Sequence, residues 1–309
     1  MIFSFKQIIV RASLVTVLIA IAFQAKAQTD NQITRYNYFF LEAIRQQEMG
    51  NLSAAFDLLR HARDINPKAP EVYYEIAGYY IDMQNSKAAR YNFEKAAELA
   101  PDNASYLEKL GQFYISQNNY EQALAAYERL YANNKTREDI LQILYQLYGS
   151  QNNYKKMIEV IERMELLLGT SEQLSLTKMQ IFEQMGDKRK AQAELMRLVQ
   201  KNPLELSYRI MLGNWLFQND NKKEAFKEYQ SVLKEDPNNA AAQLSLLDYY
   251  RDAKNEKVVE ELTKKLLESK KTEKETKMAL LRQVIIDNQA NTTKDILEVI
   301  KLFDRVLSY

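Results

Sequence analysis

Apolar residues in this chain fall at steps of three, four and seven. Leu107, Leu110, Phe113 and Tyr114 form one such stretch, and Ala123, Leu124, Tyr127 and Leu130 form the next. That spacing lines one side of a helix with apolar groups and leaves the other to water, so each stretch predicts an amphipathic helix. Turn-forming pairs lie between the stretches: Gly50-Asn51, Asn118-Asn119, Asn152-Asn153, Gly186-Asp187 and Asp220-Asn221. The pattern itself recurs. Pro67 and Pro101 are 34 residues apart, as are Pro203 and Pro237, and the gap from Pro101 to Pro203 is three times 34, with Lys135 and Gly169 on the two beats between. A spacing kept through five periods without insertion or deletion marks one structural unit copied end to end.

With the proline set at position 32, the copies start at residues 36, 70, 104, 138, 172, 206 and 240. Position 8 is often small (Ala43, Ala77, Gly111, Gly213), and so is position 20 (Ala55, Ala89, Ala123, Ala191, Ala225). Position 11 is mostly large (Tyr80, Tyr114, Tyr148, Phe182), as is position 24 (Phe93, Tyr127, Leu195, Tyr229). Each copy therefore predicts a helix A, a tight turn, a helix B and a proline that stops it. Small residues let the backbones approach and large ones fill the space around them. A hairpin this short cannot bury its apolar face alone, so neighbouring copies must stack. Copy four departs from the pattern, with Tyr145, Met157 and Met164 at positions that should be small and Gly169 in place of the proline; copy seven carries Val259 and Thr263. Uncompensated enlargement costs about 1–3 kcal/mol, which predicts looser or altered packing at copy four and a bend in the array there.

The pattern resembles the tetratricopeptide repeat (TPR) family over residues 36 to about 271, most closely in copies two, three and six. Tyr73, Ala77, Tyr80, Ala89, Phe93, Ala96 and Pro101 stand where that family expects such residues. The resemblance implies an all-α fold, an α-solenoid in which helical hairpins stack into a right-handed superhelix. It also implies binding to other proteins on a concave face lined by positions 2, 5, 9 and 12 of helix A. Position 9 reads Ile44, Gly78, Gln112, Gln146, Gln180, Asn214 and Asp248. Four successive copies thus carry a side-chain amide, the complement of a peptide backbone group, with Gln142 at position 5 beside them. The family's site for a C-terminal carboxylate, Lys and Asn at positions 5 and 9, is missing. Position 5 reads Phe40, Tyr74, Glu108, Gln142, Leu176, Ile210 and Leu244, with no base. Phe40 and Tyr74, with Tyr36 one turn before Phe40, predict an aromatic patch near the N-terminal mouth, suited to a protein partner or a sugar ring. The plainer alternative is that these rings cap the first helix pair. Trp215, at position 10 of copy six, is expected to pack against the adjoining helix.

Charge and composition narrow the function further. The 42 basic and 41 acidic residues nearly cancel, which argues against a nucleic-acid partner. The lysines from Lys254 to Lys277 alternate with Glu256, Glu260, Glu261, Glu268, Glu273 and Glu275, as on a solvated helix face. Cysteine is absent, so neither disulfides nor thiolate metal sites can form. His61 is the only histidine and stands beside Arg60 and Arg63, without partners for a triad or a metal site. None of the seven glycines makes a phosphate-cradling loop. The expectation is a chain without catalytic chemistry, cofactor or metal.

The ends carry separate signals. Lys6 and Arg11 precede the apolar run Ala12 to Phe23, and Ala25-Lys26-Ala27 follows it. This is the layout of a secretory signal peptide, too short for the roughly 20 residues of a membrane span. Residues 1–27 are therefore expected to be removed after Ala27, leaving a short segment 28–35 before the array, and the mature chain is expected in the periplasm or outside the cell. No cysteine follows the cut to carry an acyl anchor. Residues 272–309 predict a further hairpin, a helix near Lys274–Ile286, a polar turn Asp287–Thr293 and a helix from about Lys294. In that last helix Ile296, Leu297, Val299, Ile300, Leu302, Phe303, Val306 and Leu307 cover more than half the circumference. Such a face predicts a partner packed on Ile296–Leu307 or an incomplete eighth repeat of a longer array. The sequence as a whole predicts an exported, non-catalytic scaffold of the bacterial cell envelope that grips extended segments or domains in its groove. The alternatives are a glycan or cell-wall binding module and the sensor fragment of a longer signalling protein.

Overall fold

The computed structural model describes residues 31–290; the signal segment 1–27 and the helix expected at Ile296–Leu307 lie outside the described residues. Fifteen helices and no strand occur among them. The first is α1 (31–48), followed by α2 (Leu52–Ile65), α3 (Pro70–Asp82), α4 (Ser86–Leu99), α5 (Ala104–Ser116), α6 (Tyr120–Asn133), α7 (Glu138–Ser150) and α8 (Tyr154–Leu168). Then come α9 (Glu172–Gln184), α10 (Lys188–Lys201), α11 (Leu206–Gln218), α12 (Lys222–Glu235), α13 (Ala240–Asp252), α14 (Glu256–Glu268) and α15 (Lys274–Ala290). From α3 onward every first helix starts 34 residues after the one before, and α15 opens an eighth copy on the same beat. The chain divides between Leu167 and Leu168 into two compact units. That division falls at the end of copy four, where Gly169 takes a positive φ of 85°.

Each turn from helix A to helix B is built the same way. One residue adopts the left-handed conformation at position 15: Gly50, Gln84, Asn118, Asn152, Gly186, Asp220 and Lys254. The next N–H then reaches back to the carbonyl at position 11, as from Asn85 to Tyr80 at 2.8 Å and from Asp187 to Phe182 at 2.8 Å. This bond closes the orphan carbonyls of helix A. The residue that follows, at position 16, caps helix B: the side chains of Asn85, Asn119, Asp187 and Asn255 accept from the N–H three residues on. Two copies lack a turn signal here, Gln84-Asn85 and Lys254-Asn255, yet turn in the same place.

Positions 8 and 24 are one packing unit. A Cβ added to Gly111 would lie 2.6 Å from the ring of Tyr127, and one added to Gly213 would lie 2.5 Å from the ring of Tyr229. Both rings are 1% exposed. Where position 8 grows, position 24 shrinks: Ala77 with Phe93, Met179 with Leu195, Tyr145 with Ile161, Leu247 with Thr263. Copy four shows the altered packing expected of it: with Tyr145 and Met157 at the small positions, the α7 and α8 backbones do not approach each other as closely as those of the neighbouring hairpins. Met157 and Met164 are each buried, and Ile161 is 1% exposed. In copy seven Leu247 is buried, and the Thr263 hydroxyl donates to its own helix at Val259 O, 2.7 Å away. In copy seven volume has moved across the hairpin without being lost; in copy four the helices have moved apart to make room for it.

Copies are also tied by side-chain bonds in the first unit. The Tyr114 hydroxyl donates to Glu94 at 2.6 Å, and one period later Tyr148 donates to Glu128 at 2.8 Å. Arg163 holds the same Glu128 carboxylate at 2.8 Å. Burial and these acids push the Tyr114 and Tyr148 phenols above the usual range. Two element boundaries differ from the sequence reading. Residues 31–35 belong to α1, and α15 stays helical to Ala290, through the start of the expected turn at Asp287. No glycine or proline stands there to stop it.

Candidate partner-binding groove

The first helices of each unit bury positions 4, 7 and 11 in many copies and leave position 9 open. Gln112 on α5 and Gln146 on α7 are exposed in the first unit, and Gln180 on α9 and Asn214 on α11 are exposed in the second. Two of the predicted amides are already engaged. Asn214 Oδ1 accepts from the Tyr229 hydroxyl at 2.9 Å, and Gln142 donates to Glu138, one turn earlier on its own helix, at 2.8 Å.

The predicted aromatic patch is divided between core and groove. Tyr36 is not an open surface ring: it is 4% exposed and donates its hydroxyl to Glu71 at 2.6 Å. Because α1 already runs from residue 31, Tyr36 sits within a formed helix and closes the core of the first hairpins. Burial and Glu71 both raise its phenol well above the usual value. Phe40 is half-buried and stacks on Tyr36 with ring centres 5.8 Å apart. Tyr74 is half-buried too, but its neighbours are Tyr106 at 5.0 Å and Phe93 at 6.0 Å. The structure thus stacks Tyr36 on Phe40 and sets Tyr74 beside Tyr106, with all four rings in one hydrophobic cluster. Tyr106 lies one copy on and was absent from the sequence prediction.

Trp215 packs as expected: it is 6% exposed and donates from Nε1 to Glu183 Oε1 on the preceding first helix at 2.5 Å. In the first unit Tyr79, at the same position 10, donates to Gln47 Oε1 at 3.3 Å. Position 10 of one copy therefore reaches position 12 of the copy before it. His61 is exposed, its ring edge-on to Phe39 at 4.4 Å. Among the described residues no group of three or more histidine or acidic side chains could hold a metal ion.

An open groove of about 260 Å³ lies in the first unit around Gly78 and Tyr79. Glu75 and Asp82, one turn before and after Gly78 on α3, line it, with Gln47 from α1 and Lys109 from α5. Burial alone raises the Glu75 carboxyl above the ordinary glutamate value. The Tyr79 phenol is raised first by burial, then by Glu75 and Asp82. Arg137, before α7, is committed to Glu108 at 2.8 Å and to Asp139.

A family model described as tetratricopeptide repeat matches residues 74–138 and 176–255, so these two stretches are tetratricopeptide repeats. Arrays of this kind commonly mediate protein–protein interaction and are generally non-catalytic. No curated protein sequence matches the chain. Among solved structures, Naa15/Naa10 bound to HypK-THB matches 84% of this chain and 43% of that one, at 13% identity and a TM-score of 0.55. The chain spans less than half of that protein, and the likeness concerns the fold alone. A tetratricopeptide repeat protein from Parabacteroides merdae is matched over 89% of this chain and 99% of that one, at 13% identity and a TM-score of 0.40. A crystal structure of MamA is matched over 56% and 95%, at 17% identity and a TM-score of 0.39.

Proposed function

We propose that this chain is a non-catalytic scaffold or adaptor of the bacterial cell envelope that holds extended segments or domains of other proteins along the first-helix face of each of its two units. One observation carries the reading. The first helices bury their periodic apolar positions in the stack, yet Gln112, Gln146 and Gln180 recur at the same register with their amides in solvent. An exposed amide offers two donors and an acceptor to a passing backbone, and the groove at Gly78 adds a place for a side chain. Export rests on Lys6, Arg11, the apolar run to Phe23 and Ala25-Lys26-Ala27; on this reading the mature chain begins at Gln28. The test is crosslinking with mass spectrometry in the native cell, using the wild-type chain and a variant with Gln112, Gln146 and Gln180 all changed to Ala. The variant is expected to keep its helical circular dichroism and lose the partners. An unchanged partner set from a folded variant removes the amides from the binding site.

A further inference from the structure

Gly78 is a glycine that neither the backbone nor the packing requires. It lies inside α3, its φ is negative, and a Cβ placed on it meets nothing within 4 Å. A glycine in a helix interior is less stable than alanine, so its presence here costs stability without serving the hairpin. Gly111 and Gly213 are the contrast, since Tyr127 and Tyr229 occupy the space that a side chain there would need. What Gly78 leaves open is the groove, over Phe93 (2% exposed) and beside Tyr79.

The groove carries two acids, Glu75 and Asp82. Helix α3 carries Glu71, Glu75 and Asp82 and no base. Glu71 is occupied by the Tyr36 hydroxyl. Glu75 is half-buried and makes no hydrogen bond or ion pair with any described residue. The Tyr79 hydroxyl points to Gln47 and so does not serve either acid. Lys109 lines the same groove but forms no ion pair with Glu75 or Asp82. A carboxylate drawn out of water without a partner is costly, and a cation arriving there would remove that cost.

We propose that the groove at Gly78 receives the lysine or arginine side chain of an extended segment from a partner protein, with its apolar stem on Phe93 and Tyr79 and its charge between Glu75 and Asp82. Charge complementarity selects this occupant: the walls carry two unpaired acids, and the floor is aromatic, which suits a long stem with a charged tip. The inference rests on the reading that the first-helix face holds protein segments, and it names what that face selects.

The test pans a displayed library of random decapeptides on the full chain, and the enriched peptides are then synthesised. A lysine or arginine at one fixed position is expected. Replacing that residue by a neutral isostere (citrulline for arginine) should weaken binding at least tenfold. Wild-type affinity should fall similarly in the Glu75→Gln/Asp82→Asn variant and in Gly78→Gln, which installs the residue type found at this position in the next copies. Lys109→Met should bind more tightly, because a competing cation has gone. Enriched peptides without a fixed basic position, or basic peptides that bind the acid-free variant as well as wild type, overturn the cation site. If those same peptides lose affinity for the Gln112/Gln146/Gln180 alanine variant, the protein-binding reading survives that failure. No enrichment at all overturns both. Concentration-dependent dimerisation of the full chain, abolished by Gly78→Gln, would make the occupant a second copy and overturn the assignment to a different protein.

Discussion

Copies three and five use one template and fill it with opposite chemistry. Positions 4 and 7 are Leu107 and Leu110 in copy three, Ser175 and Lys178 in copy five, and all four are buried. The leucines need no specific partner. Lys178 does: its ammonium is 3.2 Å from Glu194, with side chains only 7% and 12% exposed. Arg197 approaches the same carboxylate at 2.7 Å and donates to Ser175 at 3.0 Å. The small and large positions change in parallel, from Gly111 beneath Tyr127 to Met179 with Leu195. The repeat therefore constrains where volume goes and leaves the residue types open, and in copy five the buried ammonium is met by a carboxylate. A core of ions is not thereby a stronger core, because desolvating the charges offsets much of their attraction.

The largest effect should come from breaking that ionic core on one side. Glu194→Ala leaves Lys178 buried without this carboxylate and is expected to destabilise the chain by about 3–5 kcal/mol, read as a lower urea midpoint. Removing the charge from both sides should restore at least half of the loss, so Lys178→Leu with Glu194→Gln is the partner experiment. The amide oxygen that this second change introduces would retain an acceptor for Arg197. A double variant as unstable as Glu194→Ala would show that the copy-five core depends on the ions themselves, and the equivalence drawn with copy three would fail.

The second test uses one substitution with two signs. Gly111→Ala puts a methyl against the Tyr127 ring, which is itself locked in the core, and should cost about 1–3 kcal/mol. Gly78→Ala puts the same methyl into open space and should gain about 1 kcal/mol from helix propensity. Combining Gly111→Ala with Tyr127→Leu, the pairing that copy one has in Ala43 and Leu59, should cost less than the sum of the two changes. Equal signs at residues 78 and 111 would mean that the reciprocal packing of positions 8 and 24 is not what selects glycine.

Much of this architecture was legible because it is periodic. Four prolines set the 34-residue beat, and the helices fall on it from Pro70 to Lys274. The exchange of volume between positions 8 and 24 was not legible, because the two residues lie 16 apart on different helices. Against its own column alone, Tyr145 looks oversized. Lys178 resembles any solvated helix lysine until Glu194 is seen opposite it. At the groove, the column of position 9 showed the amides and also showed Gly78, but a glycine in a list of side chains reads as a missing contact. Its meaning came from what surrounds it, Glu75 and Asp82 on one helix and Phe93 beneath. Tyr36 went the other way. Taken as a groove ring, it is a core residue, since its partner Glu71 belongs to the next copy and no local pattern joins them.

The smallest test concerns the turns, where copies three and five agree and copies two and seven do not. Position 15 is left-handed in all of them, at Asn118 and Gly186 as much as at Gln84 (φ 55°) and Lys254 (φ 54°). Glycine adopts this region freely and asparagine tolerates it, whereas a longer side chain is strained there by about 1–2 kcal/mol. Gln84→Gly and Lys254→Gly relieve that strain but give the unfolded chain more freedom, which returns about 0.5–1 kcal/mol of the gain. The net expectation is a stabilisation of about 0.5 kcal/mol for each, with the Asn85 and Asn255 caps intact. Asn118→Gly should change stability less than Gln84→Gly does, since asparagine already suits the turn. A destabilised Gln84→Gly would mean that the Gln84 side chain contributes something the turn geometry alone does not require, and the seven turns could no longer be treated as one motif.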